Sequence, residues 1–181
     1  MPKPGKTIYI SIDVESDGPC PGLYSMIELG AVAITSDHQK SWPCFSANFR
    51  PISKKFIPEA LAVSGYSREE TEEFSYAAKG VETFHLWLEG LKSCTGASRL
   101  VMVSDNPAFD WQFVNFYFAL NELKNPLGWS ARRIGDIYAG QQNNLLKNWK
   151  HLRKTKHTHK ALDDAMGNAE AFVEITKNMV K

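Results

Sequence analysis

The stretch Ile8-Tyr9-Ile10-Ser11-Ile12-Asp13-Val14-Glu15 constrains the fold more than any other in the chain. Its β-branched and aromatic residues favour a strand, and the strand ends in two carboxylates. Successive strand side chains point to opposite faces, so Asp13 and Glu15 project from the same one. Like charges held that close repel one another unless a cation lies between them. Carboxylate oxygens are hard ligands that suit magnesium or manganese. The plainer reading is a strand that runs out into a solvated acidic turn, because Asp17-Gly18 follows at once. Residues further along the chain decide between the two.

With 181 residues, the whole of 1–181 has the length of a single domain, enough to bury a sizeable core. A hydrophobic fraction of 43% argues for a globular protein and against disorder. The net charge of +1 creates no global field for nucleic acid, so any such signal must come from local clusters. Cys20, Cys44 and Cys94 are odd in number and scattered, which excludes a disulfide framework or zinc knuckle and fits a reducing compartment. Residues 1–6 carry no apolar signal region, and no run reaches the ~18 apolar residues of a membrane helix. The expectation is a cytoplasmic protein with no membrane contact.

Residues 7–14 form the first predicted strand. Ser16 to Gly22 is dense in turn formers and leaves the strand where the carboxylates sit, so it walls any site they build. Ile27–Ile34 and residues 41–50 give two further strands; the short links favour antiparallel pairing, and Pro43 suggests an edge. A short helix over Pro58–Val63 stops at Ser64-Gly65. Ser67 and Glu70 have capping-box spacing, and the acidic run Glu69 to Glu73 suits a solvated first turn. Ala77, Val81, Phe84, Leu88 and Leu91 recur at helical spacing, with His85 at the surface or core edge. Arg99–Ser104 reads as a strand, and Asp105-Asn106-Pro107 starts a helix to Lys124 with Phe109, Phe113, Tyr117 and Leu120 on its inner face. Residues 129–138 hold a short strand and a helical turn. Leu162–Val180 is the last helix, with Ala165, Ala169, Phe172 and Met179 on one face. The fold class is α/β: a mixed sheet, with three antiparallel strands plus parallel strands, flanked by helices.

Asp110 and Asp164 each lie in the first turn of a predicted helix, where the dipole alone accounts for an acidic residue. If the first and fourth strands are neighbours, however, Asp110 leaves the sheet at the same end as Asp13 and Glu15. Acidic groups gathered there repel by several kcal/mol at low effective dielectric unless cations bind. His159 precedes Asp164 by five residues, which places its imidazole in the loop before the helix. An imidazole there suits a general base near neutral pH, although capping or solvation also accounts for a histidine beside His151 and His157.

The set Asp13-x-Glu15, Asn106-x-x-Phe109-Asp110 and His159-x-Ala161-Leu162-x-Asp164-Ala165 resembles the three motifs of the DEDDh 3′-5′ exonucleases, a superfamily that includes RNase T, oligoribonuclease and the proofreading epsilon subunit of DNA polymerase III. The resemblance runs from about residue 7 to residue 176. It implies a ribonuclease-H-like fold and two divalent cations, Mg²⁺ or Mn²⁺, held by Asp13, Glu15, Asp110 and Asp164. It also implies His159 as general base and hydrolysis at the 3′ end of single-stranded RNA or DNA. Ser16-Asp17-Gly18 and Asp105 depart from the residues many relatives carry at those places, which touches the substrate edge rather than the metal centre.

Lys147, Lys150, Arg153, Lys154, Lys156 and Lys160 form a basic run leading into His159; such a run is either a solvated face or a phosphate track. Ser16, Asn106, Lys154, Lys156 and Lys160 are the substrate-binding candidates. Trp149, Tyr24, Met26 and Trp111 are candidates for stacking bases or for the core. With no polymerase domain in the sequence, RNA is favoured slightly over DNA. The alternatives are a catalytically idle nucleic-acid-binding module and a proofreading subunit of a larger complex. A homodimer is implied only by the resemblance.

Overall fold

The computed structural model describes residues 5–35 and 42–179. Five strands form one mixed sheet: β1 (Thr7–Ser16), β2 (Met26–Ile34), β3 (Cys44–Asn48), β4 (Arg99–Ser104) and β5 (Ala131–Arg133), in the order β3-β2-β1-β4-β5. β1 pairs antiparallel with β2 and parallel with β4; β3 is the antiparallel edge and β5 the parallel one. The fourth strand therefore does lie beside the first. Pro43 sits just outside the edge strand, its carbonyl accepting from the amide of Ala33. β3 is shorter than residues 41–50, and residue 41 lies outside the described residues.

The alternation in β1 separates two layers. Ile8, Ile10, Ile12 and Val14 are buried in the larger core, against helices α3 (Ala77–Thr95) and α4 (Pro107–Leu120). Two short helices, α1 (Pro58–Ser64) and α2 (Arg68–Glu72), lead into α3. α1 ends at Gly65 in the left-handed conformation, and Ser67 and Glu70 make both bonds of the capping box at α2. All five apolar positions expected on the inner face of α3 are buried. The opposite face of β1 presents Tyr9 and Ser11 to α6 (Ala161–Thr176), with the Ser11 hydroxyl donating to the Ala165 carbonyl at 2.8 Å. Helix α5 (Ile134–Gln141) packs beside α6 around Val103, Ile134 and Phe172. Among the described residues no helix is long and apolar enough to cross a membrane.

Four expectations change. α4 stops at Leu120 rather than Lys124, because the Asn121 side chain donates to the Tyr117 carbonyl and Glu122 turns left-handed. Leu120 is consequently exposed, and Phe118 fills the core position against Phe84. α6 ends at Thr176, so Met179 lies beyond it and is exposed; residue 180 is outside the described residues. Trp149 and Met26 are buried core residues and present no face for a base. Asp17 is not a solvated turn residue but fully buried.

Candidate active site

β1 carries Asp13 and Glu15 on the face that meets α6, and the register sets Gly30 opposite Asp13 and Glu28 opposite Glu15. Gly30 has no side chain at the point where α6 begins, so the helix N-terminus lies directly on β2. Asp164, in the first turn of α6, is thereby lowered onto β1. Carboxylate oxygens of Asp13, Glu15 and Asp164 come within 4.8 Å of one another. Asp164 is buried, whereas Asp13 and Glu15 are half-buried and open to the site.

Asp110 arrives from the other layer. It sits in the first turn of α4, buried, and accepts from the Val14 amide at 3.2 Å and from the Ser104 hydroxyl. Val14 lies between Asp13 and Glu15, so this bond fixes the end of β1 from the side opposite α6. Both Asp110 oxygens have protein donors.

The loop before α6 closes the arrangement. Asp164 accepts the Thr158 amide at 3.1 Å and the His159 amide at 3.2 Å. His159 is exposed and has a left-handed φ of 56°, a conformation that non-glycine residues rarely adopt and that clusters at functional sites. His157 lies alongside, its Nδ1 2.8 Å from Asp164 Oδ1 and its ring 4.2 Å from that of His159.

The electrostatics describe an uncompensated acidic centre. Burial and then the charge of Asp164 push Glu15 up to about 8. Burial raises Asp110 to about 7 despite its hydrogen bonds from Ser104 and Val14. Asp13 is raised well above the usual carboxylate range, first by burial and then by Asp110, Glu15 and Asp164. A cluster of carboxylates that offers only oxygen, and in which burial and mutual repulsion disfavour the charged forms of Asp13 and Glu15, is the donor set a hard divalent cation takes. The residues fit Mg²⁺ or Mn²⁺.

The substrate candidates divide. Lys154, Lys156 and Asn106 are exposed, and Asn106 caps α4 with its backbone carbonyl rather than its side chain. Ser16 is buried, its hydroxyl donating to the Gly18 carbonyl at 2.7 Å. Lys160 donates to the Ser64 carbonyl at 2.8 Å and stands 3.9 Å over the Tyr66 ring, tying α1 to the start of α6. Within the basic run, Lys150 pairs with Asp105 at 2.9 Å, and Arg153 is buried over Trp149 with Asn168 as partner.

Sequence reasoning passes over three features. Glu28 is a buried carboxylate facing Glu15, with one oxygen lacking a protein partner; burial pushes it up against the pull of Lys160 and the Ala161 amide. Its signal is a lone acid in an apolar strand. Arg153 is close enough to Asp13 to lower its pKa, a role hidden inside a run of lysines. Arg68 reaches from α2 to Asp17 at 2.9 Å, also donates to the Ser53 carbonyl at 2.6 Å, and so moors the loop leaving β1. No local pattern connects positions that far apart.

Residues 10–172 match the exonuclease family of RNase T. Cap18 of Escherichia coli, a 3′-5′ DNA exonuclease, is 33% identical over 183 residues, covering 95% of this chain and 93% of the relative. Ribonuclease T of Baumannia cicadellinicola subsp. Homalodisca coagulata is 26% identical over 180 residues, covering 92% and 82%. Among solved structures, the nuclease domain of 3′hExo, a DEDDh family member bound to rAMP, has a TM-score of 0.74 at 16% identity, covering 94% of this chain and 92% of that one. E. coli Exonuclease I in complex with a dA16 oligonucleotide has a TM-score of 0.71 at 17% identity, covering 95% and 41%. The mixed sheet with its flanking helices is the ribonuclease-H-like fold of these nucleases.

Proposed function

We propose that this chain, which belongs to the DEDDh superfamily of 3′-5′ exonucleases, removes nucleotides from the 3′ end of single-stranded DNA as a cytoplasmic, single-domain enzyme. The observation that carries the reading is the meeting of Asp13, Glu15 and Asp164 within 4.8 Å, with Asp110 fastened to the strand between the first two. The sequence alone tips the sugar preference towards RNA; the relative at 33% identity, a DNA exonuclease, is the reason to propose DNA instead.

In this reading two divalent cations, Mg²⁺ or Mn²⁺, are the cofactors. Asp13 would serve both, Glu15 and Asp164 would complete one site, and Asp110 would hold the second through water. Bound there, the ions would stabilise the attacking and leaving oxygens of an in-line displacement at phosphorus. The chain's own residues do the rest. His159, hung on Asp164 through its amide, takes the proton from the attacking water. Asp164, gripped by two backbone amides, keeps imidazole and carboxylates in one frame. Lys154 and Lys156 offer ammonium groups to the phosphates of the bound strand, and Asn106 is free to reach the terminal nucleotide. Ser16 and Lys160, with partners inside the protein, shape the walls.

The test is incubation with 5′-labelled DNA and RNA oligonucleotides in Mg²⁺, Mn²⁺ or EDTA. A ladder shortening from the 3′ end, faster on DNA, abolished by EDTA and absent in Asp13→Ala, is expected. Cleavage from the 5′ end, or full activity in Asp13→Ala, overturns the reading. A homodimer, proposed only from the family resemblance, is checked by light scattering on the same preparation.

A further inference from the structure

Asp164 belongs to two donor sets, and only one of them is needed for hydrolysis. The first is the all-oxygen set with Asp13 and Glu15. The second is His157, His159 and Asp164, whose candidate ligand atoms also lie within 4.8 Å of one another. One general base explains one imidazole; the second, exposed and 2.8 Å from the same carboxylate, is left over. A separation of 2.8 Å between Nδ1 and Oδ1 is a hydrogen bond; two tetrahedral ligands with bonds of about 2.0–2.1 Å stand about 3.3–3.4 Å apart, so the exposed imidazole need swing outward by only about 0.5 Å to share an ion with the carboxylate.

The chemistry of the two sets differs. Two imidazoles and one carboxylate form a borderline donor set that takes Zn²⁺ in tetrahedral geometry, with a fourth position left to water. Magnesium takes six oxygens and has little affinity for imidazole. The left-handed backbone at His159 sits in the middle of this second set, so the turn that delivers both rings to Asp164 is an uncommon one. Both rings are exposed, which gives an ion direct access from solvent. Of the nearby cations, Lys160 is bound to Ser64 and Tyr66 and Arg153 to Asn168, while Lys154 and Lys156 extend into solvent.

We propose that His157, His159 and Asp164 form a binding site for a borderline divalent cation of the Zn²⁺ class, and that its occupancy silences the enzyme. An ion held there takes the lone pair of the His159 imidazole and an oxygen of Asp164, the two groups that link proton transfer to the carboxylate centre. The binding half stands without the exonuclease reading; the silencing half rests on it.

The two halves are tested separately. Co²⁺ added to the metal-free protein, without substrate, should give visible d–d absorption, displaced by Zn²⁺ and not by excess Mg²⁺. His157→Gln should weaken Zn²⁺ binding roughly tenfold or more, while His157→Cys restores it and adds a sulfur-to-Co²⁺ charge-transfer band. Asp13→Asn, which disables the oxygen set, should keep the spectrum. In excess Mg²⁺, Zn²⁺ should inhibit hydrolysis by the wild type at lower concentration than by His157→Gln. Equal Zn²⁺ affinity in wild type and His157→Gln, or loss of the spectrum in Asp13→Asn, overturns the site. Zn²⁺ bound with full activity retained overturns the silencing.

Discussion

A β-carbon placed on Gly30 would stand 2.2 Å from the backbone carbonyl carbon of Ala161, the first residue of α6. The neighbour is backbone, with no flexible end to swing aside, and Gly30 is the register partner of Asp13. Gly30→Ala must therefore lift the helix that carries Asp164. Overpacking of this kind costs about 1–3 kcal/mol, to be read as a lower urea midpoint. Activity should fall by more than stability explains, because Asp164 moves with Ala161. A variant that unfolds with the wild type and keeps its rate would show that α6 is not seated this closely.

Stability of the metal-free protein should depend on pH in an unusual direction. Glu15 rises from 4.5 to about 8 on folding and Asp110 from 3.8 to about 7, with Asp13 raised as well. The folded form thus binds these protons more tightly than the unfolded chain. The stabilisation is complete below the unfolded values of 3.8 and 4.5 and is lost progressively as pH rises from there to about 8. In EDTA the melting temperature should fall over that window, and Mg²⁺ or Mn²⁺ should restore it by binding the charged forms. Glu15→Gln should flatten the fall. A melting temperature in EDTA that climbs over the same range contradicts the raised values.

His159 is best replaced by asparagine, which tolerates the left-handed backbone that alanine does not favour. His159→Asn should lower kcat by about 10²–10⁴, the usual share of a general base, with melting temperature and Mn²⁺ affinity close to wild type. Loss of Mn²⁺ binding in parallel with kcat would assign His159 to holding the ion instead.

How far the sequence reaches is visible in particular residues. Asp13 and Glu15 were legible because strand alternation is local, and α3 was legible because five apolar residues repeat at helical spacing. Asp110 needs the added premise that the first and fourth strands pair, which the parallel register supplies, and Asp164 needs the seat of α6 at Gly30. Trp149 and Met26 stay open in the sequence because an aromatic or sulfur side chain looks the same there whether it stacks a base or fills a core. Glu28 and Asp17 escaped for another reason. Whether a carboxylate is solvated or buried depends on what packs over it, here α6 and Arg68, which lie far along the chain.

The Asp17–Arg68 pair gives a prediction about that loop. Asp17 is fully buried and also accepts the Ser25 amide at 2.5 Å, while the guanidinium lies 5.1 Å over the Phe56 ring. Removing one partner of a buried pair leaves an uncompensated charge, so Arg68→Ala should destabilise by about 3–5 kcal/mol. Adding Asp17→Asn should recover part of that loss, a coupling that a double-mutant cycle measures. Strictly additive losses would mean that the two residues do not act as a pair.

The seat of α6 on β1 and β2 also sets when in the life of the polypeptide the centre comes into being. Translation delivers β1 well before α6, so a nascent chain displays Asp13 and Glu15 long before it possesses His159 or Asp164. A stalled or prematurely terminated product lacking α6 has half a centre and an uncovered sheet, with Val32 stripped of Ala165 and Ala169. In the proposed mechanism, hydrolytic capacity therefore arrives only once α6 has been made and seated on the sheet.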